Sequence, residues 1–122
     1  MKAKIRGTEL YFDVLGENIA KTDNGFREKP VVLLLHGGPG GDHTCFKNYC
    51  PELAQDAQLI MIDHRGCGRS ARGHSADYTL ENNIEDIEAF RQYLGLEDII
   101  VYGHSYGGML AQGLSHPHKI SI

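Results

Sequence analysis

The chain has 122 residues, 41% hydrophobic and 23% charged, with a net charge of −4 and a pI near 5.9. That length allows at most one domain with a real core, and a mildly acidic chain without a basic run is not built for nucleic acid or an anionic membrane as partner. The basic start MKAKIRGTEL has no apolar stretch of the signal-peptide kind, and the longest aliphatic run, VVLLL at 31–35, is far too short to span a bilayer.

The first predicted element is a hairpin, two short strands around Gly7 and Thr8, with Leu10, Phe12 and Val14 alternating. Residues 21–29, KTDNGFREK, are polar around an Asn-Gly step and read as a loop. The unbroken apolar run PVVLLLH, residues 30–36, fits a strand buried on both faces of a parallel sheet. Residues 43–56 carry Phe46, Tyr49 and Leu53 on one helical face, and Pro51 splits that pattern into two short helices. A second buried strand follows at 58–63, QLIMID.

Residues 79–94 predict a clear amphipathic helix. Leu80, Ile84, Ile87, Phe90 and Leu94 form its apolar stripe, Glu81, Glu85, Glu88 and Arg91 fill the other side, and Gly95 ends it. A third buried strand, DIIVYG at 98–103, leads into a last helix, YGGMLAQGLSH, stopped by Pro117. Strands alternating with helices imply an α/β fold with a mainly parallel, wound sheet and an N-terminal hairpin.

Fifteen glycines cluster in three places, GGPGG, GCGR and GHSYGG. The last lies in Gly103-His104-Ser105-Tyr106-Gly107, a G-x-S-x-G motif between a buried strand and a helix. A serine there sits on a sharp strand-to-helix turn, so the residues two before and two after it must be tiny. The turn lifts the hydroxyl above the sheet, beside the free N–H groups of a helix N-terminus. HGGPGG, residues 36–41, follows the first buried strand and can aim a backbone N–H at the serine's target, with the N–H of Tyr106 as the other donor. It is neither a P-loop, which needs G-K-[ST], nor a dinucleotide fingerprint opening a helix. DHRGCGRS, residues 63–70, reads as a glycine turn in which Asp63 and Arg65 brace loops.

These three motifs, LLLHGGPGG, MIDHRGCGRS and VYGHSYGGML, taken in this order and spacing, resemble the proline iminopeptidase family, serine peptidases of the α/β-hydrolase fold. The likeness runs from the first hairpin to the last residues. It departs at His64, where many members carry Gln, and at the elbow, where G-G-S-W-G is common. The resemblance implies Ser105 as nucleophile, the N–H groups of Gly38 and Tyr106 as the oxyanion hole, and Gly103 and Gly107 as the elbow. It implies no cofactor and no metal. The intact enzyme would take a small peptide, amide or ester substrate and release N-terminal residues such as proline.

In this family the triad Asp and His follow the nucleophile, and a complete domain needs roughly 250 residues. Residues 1–122 are therefore expected to be the N-terminal part of a hydrolase domain, incomplete beyond the elbow and its helix, and inactive alone. None of the seven histidines offers itself as base. His36 reads as structural, and His104 points sideways from the turn. His116 lies about 16 Å along the helix, and His118 lies further. His43, His64 and His74 sit in loops with nothing visible to orient a ring. Metal-site spacing such as H-E-x-x-H is missing too.

Two readings stand beside the peptidase. One is a non-catalytic remnant or binding module, or one half of a split hydrolase completed by another chain. The other is an esterase, lactonase or amidase sharing the serine. An Asp nucleophile, as in dehalogenases and epoxide hydrolases, does not fit Ser105. The strand at 98–102 is expected at a sheet edge, open to self-association or to a complementing chain. Cys45, Cys50 and Cys67, with no C-x-x-C pair, are expected as free thiols in a reducing cytoplasm.

Overall fold

The structure, a computed structural model, describes residues 1–38, 40–48 and 50–115. Seven strands and two α-helices are present among them: β1 (Lys2–Ile5), β2 (Thr8–Leu15), β3 (Ile19–Thr22), β4 (Gly25–Glu28), β5 (Val31–Leu35), β6 (Gln58–Ile62), α1 (Leu80–Tyr93), β7 (Ile99–Gly103) and α2 (Tyr106–Ser115). Five strands form one sheet in the order β1-β2-β6-β5-β7. The hairpin joins antiparallel, β2 on β6, while β5 pairs in parallel with both β6 and β7. The predicted hairpin turns at Arg6 and Gly7, both at positive φ (46° and 77°), the two-residue turn whose twist matches the flanking strands.

The runs of β5 and β6 are apolar because both faces of the sheet are covered there, whereas β7, expected to be buried likewise, buries Ile99 and Val101 but leaves Ile100 and Tyr102 exposed. Leu33 and Leu35 of β5 pack with Ile60, Ile62 and Val101 beneath Ile87 and Phe90 of α1 and Leu110 and Leu114 of α2. Val32 and Leu34 of the same strand face the other way and join Leu59, Met61, Phe46 and Cys50. One strand thus serves two cores, the period-2 geometry of a pleated strand.

Two further expectations change. Residues 21–29 are not a plain loop: β3 and β4 form a separate two-stranded hairpin, with Thr22 paired to Gly25. Its residues are almost all exposed, Phe26 at 73%, so no alternation betrays it. Residues 43–56 hold two short 3₁₀ turns, His43–Phe46 and Leu53–Gln55, rather than α-helices. Tyr49 and the stop at Pro117 lie outside the described residues.

Helix α1 falls where predicted, with Thr79 as N-cap accepting the Asn82 N–H. Its polar side is not uniformly solvated, however. Asp86 is buried, clamped by the Arg65 guanidinium through two bonds of 2.8 Å and by Arg6 at 2.9 Å. Glu88 is buried too, bonded to Arg91 and Gln92. Among the described residues no helix is long and apolar enough to cross a membrane.

Candidate active site

The parallel strands β5, β6 and β7 all end at one rim of the sheet, and the three glycine-rich motifs follow them there. At the end of β7 the chain turns sharply into α2. Ser105 makes that turn at φ 56°, one of two non-glycine residues at positive φ among those described. A Cβ on Gly103 would stand 2.1 Å from the Gly107 carbonyl oxygen, and one on Gly107 would stand 2.0 Å from the Leu35 oxygen. The elbow therefore touches itself and the end of β5 backbone to backbone, which only glycine allows. The His104 N–H donates to the Leu35 oxygen at 3.1 Å, fastening the turn to the strand that carries the glycine loop.

The Ser105 side chain is exposed on a cleft of about 410 Å³, lined by Gly37, Gly38, Asp42, Thr44, Cys45 and His104. Gly38 lies on it at φ 131°. Tyr106 opens α2, so its N–H has no intrahelical acceptor. Among the described residues neither the Gly38 nor the Tyr106 N–H has a hydrogen-bond acceptor. The structure thus brings Ser105 and Gly38 to one cleft, with the free Tyr106 N–H one residue beyond the serine. The Tyr106 side chain turns instead into a neighbouring recess, where its hydroxyl accepts the Asn83 amide N–H at 2.8 Å.

The histidines divide by environment. His36 is buried; its Nδ1 donates to the Gly37 oxygen at 2.7 Å, and its Nε2 accepts the His64 N–H at 3.0 Å. His64 stacks on it with ring centroids 3.8 Å apart, and its Nε2 donates to the His36 oxygen at 2.9 Å. Burial pushes both rings below the usual imidazole range, His64 to about 4. The pair is a neutral clasp that pins the base of the glycine loop, and His36 is structural, as expected. His104 lines the serine cleft, yet no hydrogen bond joins its ring to Ser105 among the described residues. His116 and His118 lie outside them.

His43 corrects the expectation that nothing orients a loop histidine. Its Nδ1 meets Asp63 Oδ1 at 2.7 Å, and its Nε2 lies 3.1 Å from Asp13 Oδ2, close enough for attraction but off hydrogen-bond geometry. The carboxylate–imidazole pair that a base requires is present, but it is buried and turned away from the serine cleft. Asp63 also accepts the backbone N–H groups of His43 and Arg69, so it braces loops as expected.

Asp42, His43 and Asp63 place potential metal-ligand atoms within 4.8 Å of one another. Those atoms are engaged internally: Asp63 by its three N–H donors, Asp42 by the backbone N–H and hydroxyl of Thr44. The Thr44 bonds hold the Asp42 carboxyl below its usual range.

A parallel-centred sheet with a hairpin at one edge, and a strained serine between strand and helix, are the features of the α/β-hydrolase fold. The chain belongs to the alpha/beta hydrolase fold family, whose model matches residues 30–121. Within it, the resemblance read from the three motifs is matched by curated relatives. Proline iminopeptidase from Lactobacillus helveticus is 40% identical over 114 residues, 90% of this chain and 36% of that protein. Its counterpart from Clostridioides difficile is 38% identical over 107 residues, 87% of this chain and 34% of that protein. The chain thus spans about a third of the length of these relatives.

Among solved structures, a proline iminopeptidase-related protein from Thermus thermophilus superposes with a TM-score of 0.82 at 24% identity, over 96% of this chain and 39% of that one. An epoxide hydrolase from Vigna radiata gives 0.79 at 23%, over 96% and 35%. At such identity both speak to the fold alone.

Proposed function

We propose that this chain carries the nucleophile half of a serine hydrolase of the proline iminopeptidase type. The observation that carries this is Ser105 itself, an exposed non-glycine residue held at φ 56° on a turn whose neighbours can only be glycine. Ser105 Oγ attacks the carbonyl carbon of a peptide, amide or ester. The developing oxyanion takes the free N–H groups of Gly38 and Tyr106. The leaving group departs and water hydrolyses the acyl-enzyme. The similarity to proline iminopeptidases favours an N-terminal residue such as proline as the acyl part, with esters, lactones and amides as the related alternative. The free cysteines suit a reducing compartment such as the cytoplasm.

A serine hydroxyl needs a base within about 3 Å, or one water further, and no described imidazole is bonded to Ser105. The 122-residue chain alone is therefore expected to turn over little or nothing. It acts with a segment, in the same or another chain, that supplies the His and Asp. The test joins residues 1–122 to the C-terminal remainder of the Lactobacillus helveticus enzyme and assays proline β-naphthylamide. The expected result is turnover that falls by about four orders of magnitude or more on Ser105→Ala. A cooperatively melting chimera without turnover would support a non-catalytic binding module instead, and turnover that survives Ser105→Ala would overturn Ser105 as the nucleophile.

A further inference from the structure

Among the described residues Asp42 is the one acidic side chain that lines the serine cleft, and no Lys or Arg lines it. A Cβ on Gly37 would stand 3.2 Å from the Ser105 Cβ, and one on Gly41 would stand 2.8 Å from the Gly37 oxygen. The glycine loop therefore folds back on itself beside the serine, and Asp42 is the first residue out of that fold.

The Asp42 carboxylate is held ionised and left half open. The Thr44 hydroxyl and the Thr44 backbone N–H, the latter at 2.9 Å, both donate to Oδ1 and keep the carboxyl below its usual range. Oδ2 has no partner among the described residues. It is also not one of the side-chain atoms that are both buried and unpaired, so it stays open to solvent or to a ligand. Other carboxylates of the site and its surroundings are matched: Asp13 by His43 and Lys47, Asp63 by His43, Asp86 by Arg6 and Arg65, Glu88 by Arg91. Asp42 has no ion pair among the described residues. His36 and His43 lie within its electrostatic range, but their ring nitrogens face other partners.

A carbonyl carbon within reach of Ser105 Oγ brings the substituent on its α-carbon into this same cleft. A neutral substituent there would take water from a carboxylate oxygen and give nothing back, whereas an ammonium supplies both the opposite charge and the N–H donors. The Thr44 hydroxyl, having donated to Asp42, keeps lone pairs to accept a second N–H.

We propose that Asp42 determines specificity in this cleft, pairing through Oδ2 with a protonated amine on the carbon next to the carbonyl that Ser105 attacks. The acyl part is then an N-terminal residue with a free amine, primary or secondary as in proline, and not a plain ester or lactone. The proposal deepens the serine-hydrolase reading and rests on it for the fate of the bound amine.

Its test is a binding measurement and needs no turnover. The ¹⁵N-labelled 122-residue chain is titrated at pH 6.5, where an α-amine with a pKa of about 8 is charged. The ligands are L-prolinamide and cyclopentanecarboxamide, the same ring with CH₂ in place of the amine, and the Gly38 and Ser105 amide resonances report occupancy. The expected result is a saturable shift with L-prolinamide and an affinity at least about tenfold weaker for the carbocycle. Asp42→Asn and Asp42→Ser both keep an N-cap oxygen for Thr44, and each should bring the two affinities to within about twofold of one another. Equal affinities in the wild-type chain, a preference that survives both substitutions, or no saturable response overturns the proposal. A chimera that keeps this preference but shows no turnover overturns the hydrolase reading alone.

Discussion

Ser105 is held where a side chain is least comfortable. A left-handed φ costs a non-glycine residue roughly 1–2 kcal/mol, repaid only if the geometry serves something. Ser105→Gly is therefore expected to raise stability by about 1 kcal/mol in urea denaturation while removing the nucleophile. Gly107→Ala should do the opposite. Its Cβ would meet the Leu35 carbonyl oxygen at 2.0 Å, backbone that cannot give way, and the expected loss is about 3 kcal/mol with a matching drop in the urea midpoint. The elbow was legible because its requirement is local: glycines two residues either side of a serine, between an apolar run and a helix. The orientation of His43 was not. Asp63 lies twenty residues away and Asp13 thirty, and only the sheet brings them together.

At the scale of elements, α1 is fastened by a buried carboxylate as well as by its apolar stripe. Asp86 joins three pieces, the Arg6 turn of the hairpin, the Arg65 turn after β6, and the helix itself. Removing one partner of a buried ion pair strands the others. Asp86→Ala is expected to cost about 3–5 kcal/mol, read as a lowered thermal midpoint. A 3.6-residue pattern assigns every charge opposite the stripe to solvent, so Glu88 was misplaced by periodicity and Asp86 was not singled out. The same logic missed the β3–β4 hairpin. Its strands hold each other through backbone bonds and bury too little for any pattern to appear.

For the whole molecule, the His36–His64 clasp couples stability to pH. Above pH 6.5 His64 is neutral both folded and unfolded. As pH falls from 6.5 toward about 4, the unfolded chain binds a proton that the folded chain refuses. Stability should then fall by about 1.4 kcal/mol per pH unit in that window, with His36 adding in the same direction. His64→Gln, measured by denaturation at several pH values, should flatten the slope.

Among the described residues the sheet order ends at β7, the edge position expected for that strand. Ile100 and Tyr102 stand exposed on that strand beside Val32, Leu34 and Phe46. An unpaired apolar edge invites another strand. The 122-residue chain by itself is expected to self-associate, and Tyr102→Lys to shift its sedimentation toward monomer. A wild-type chain that stays monomeric at high concentration would contradict this.

Local chemistry is what the amino-acid order determined alone: two strands buried on both faces, a third strand beside them, one capped helix and a serine on a glycine elbow. Each is set by residues within a few positions of one another. Tertiary structure decided everything that depends on distant partners. It chose which carboxylates go inside, which histidines are kept neutral and which imidazole is turned away from the serine. Burial and long-range pairing set those outcomes, and neither has a period that can be read along the chain.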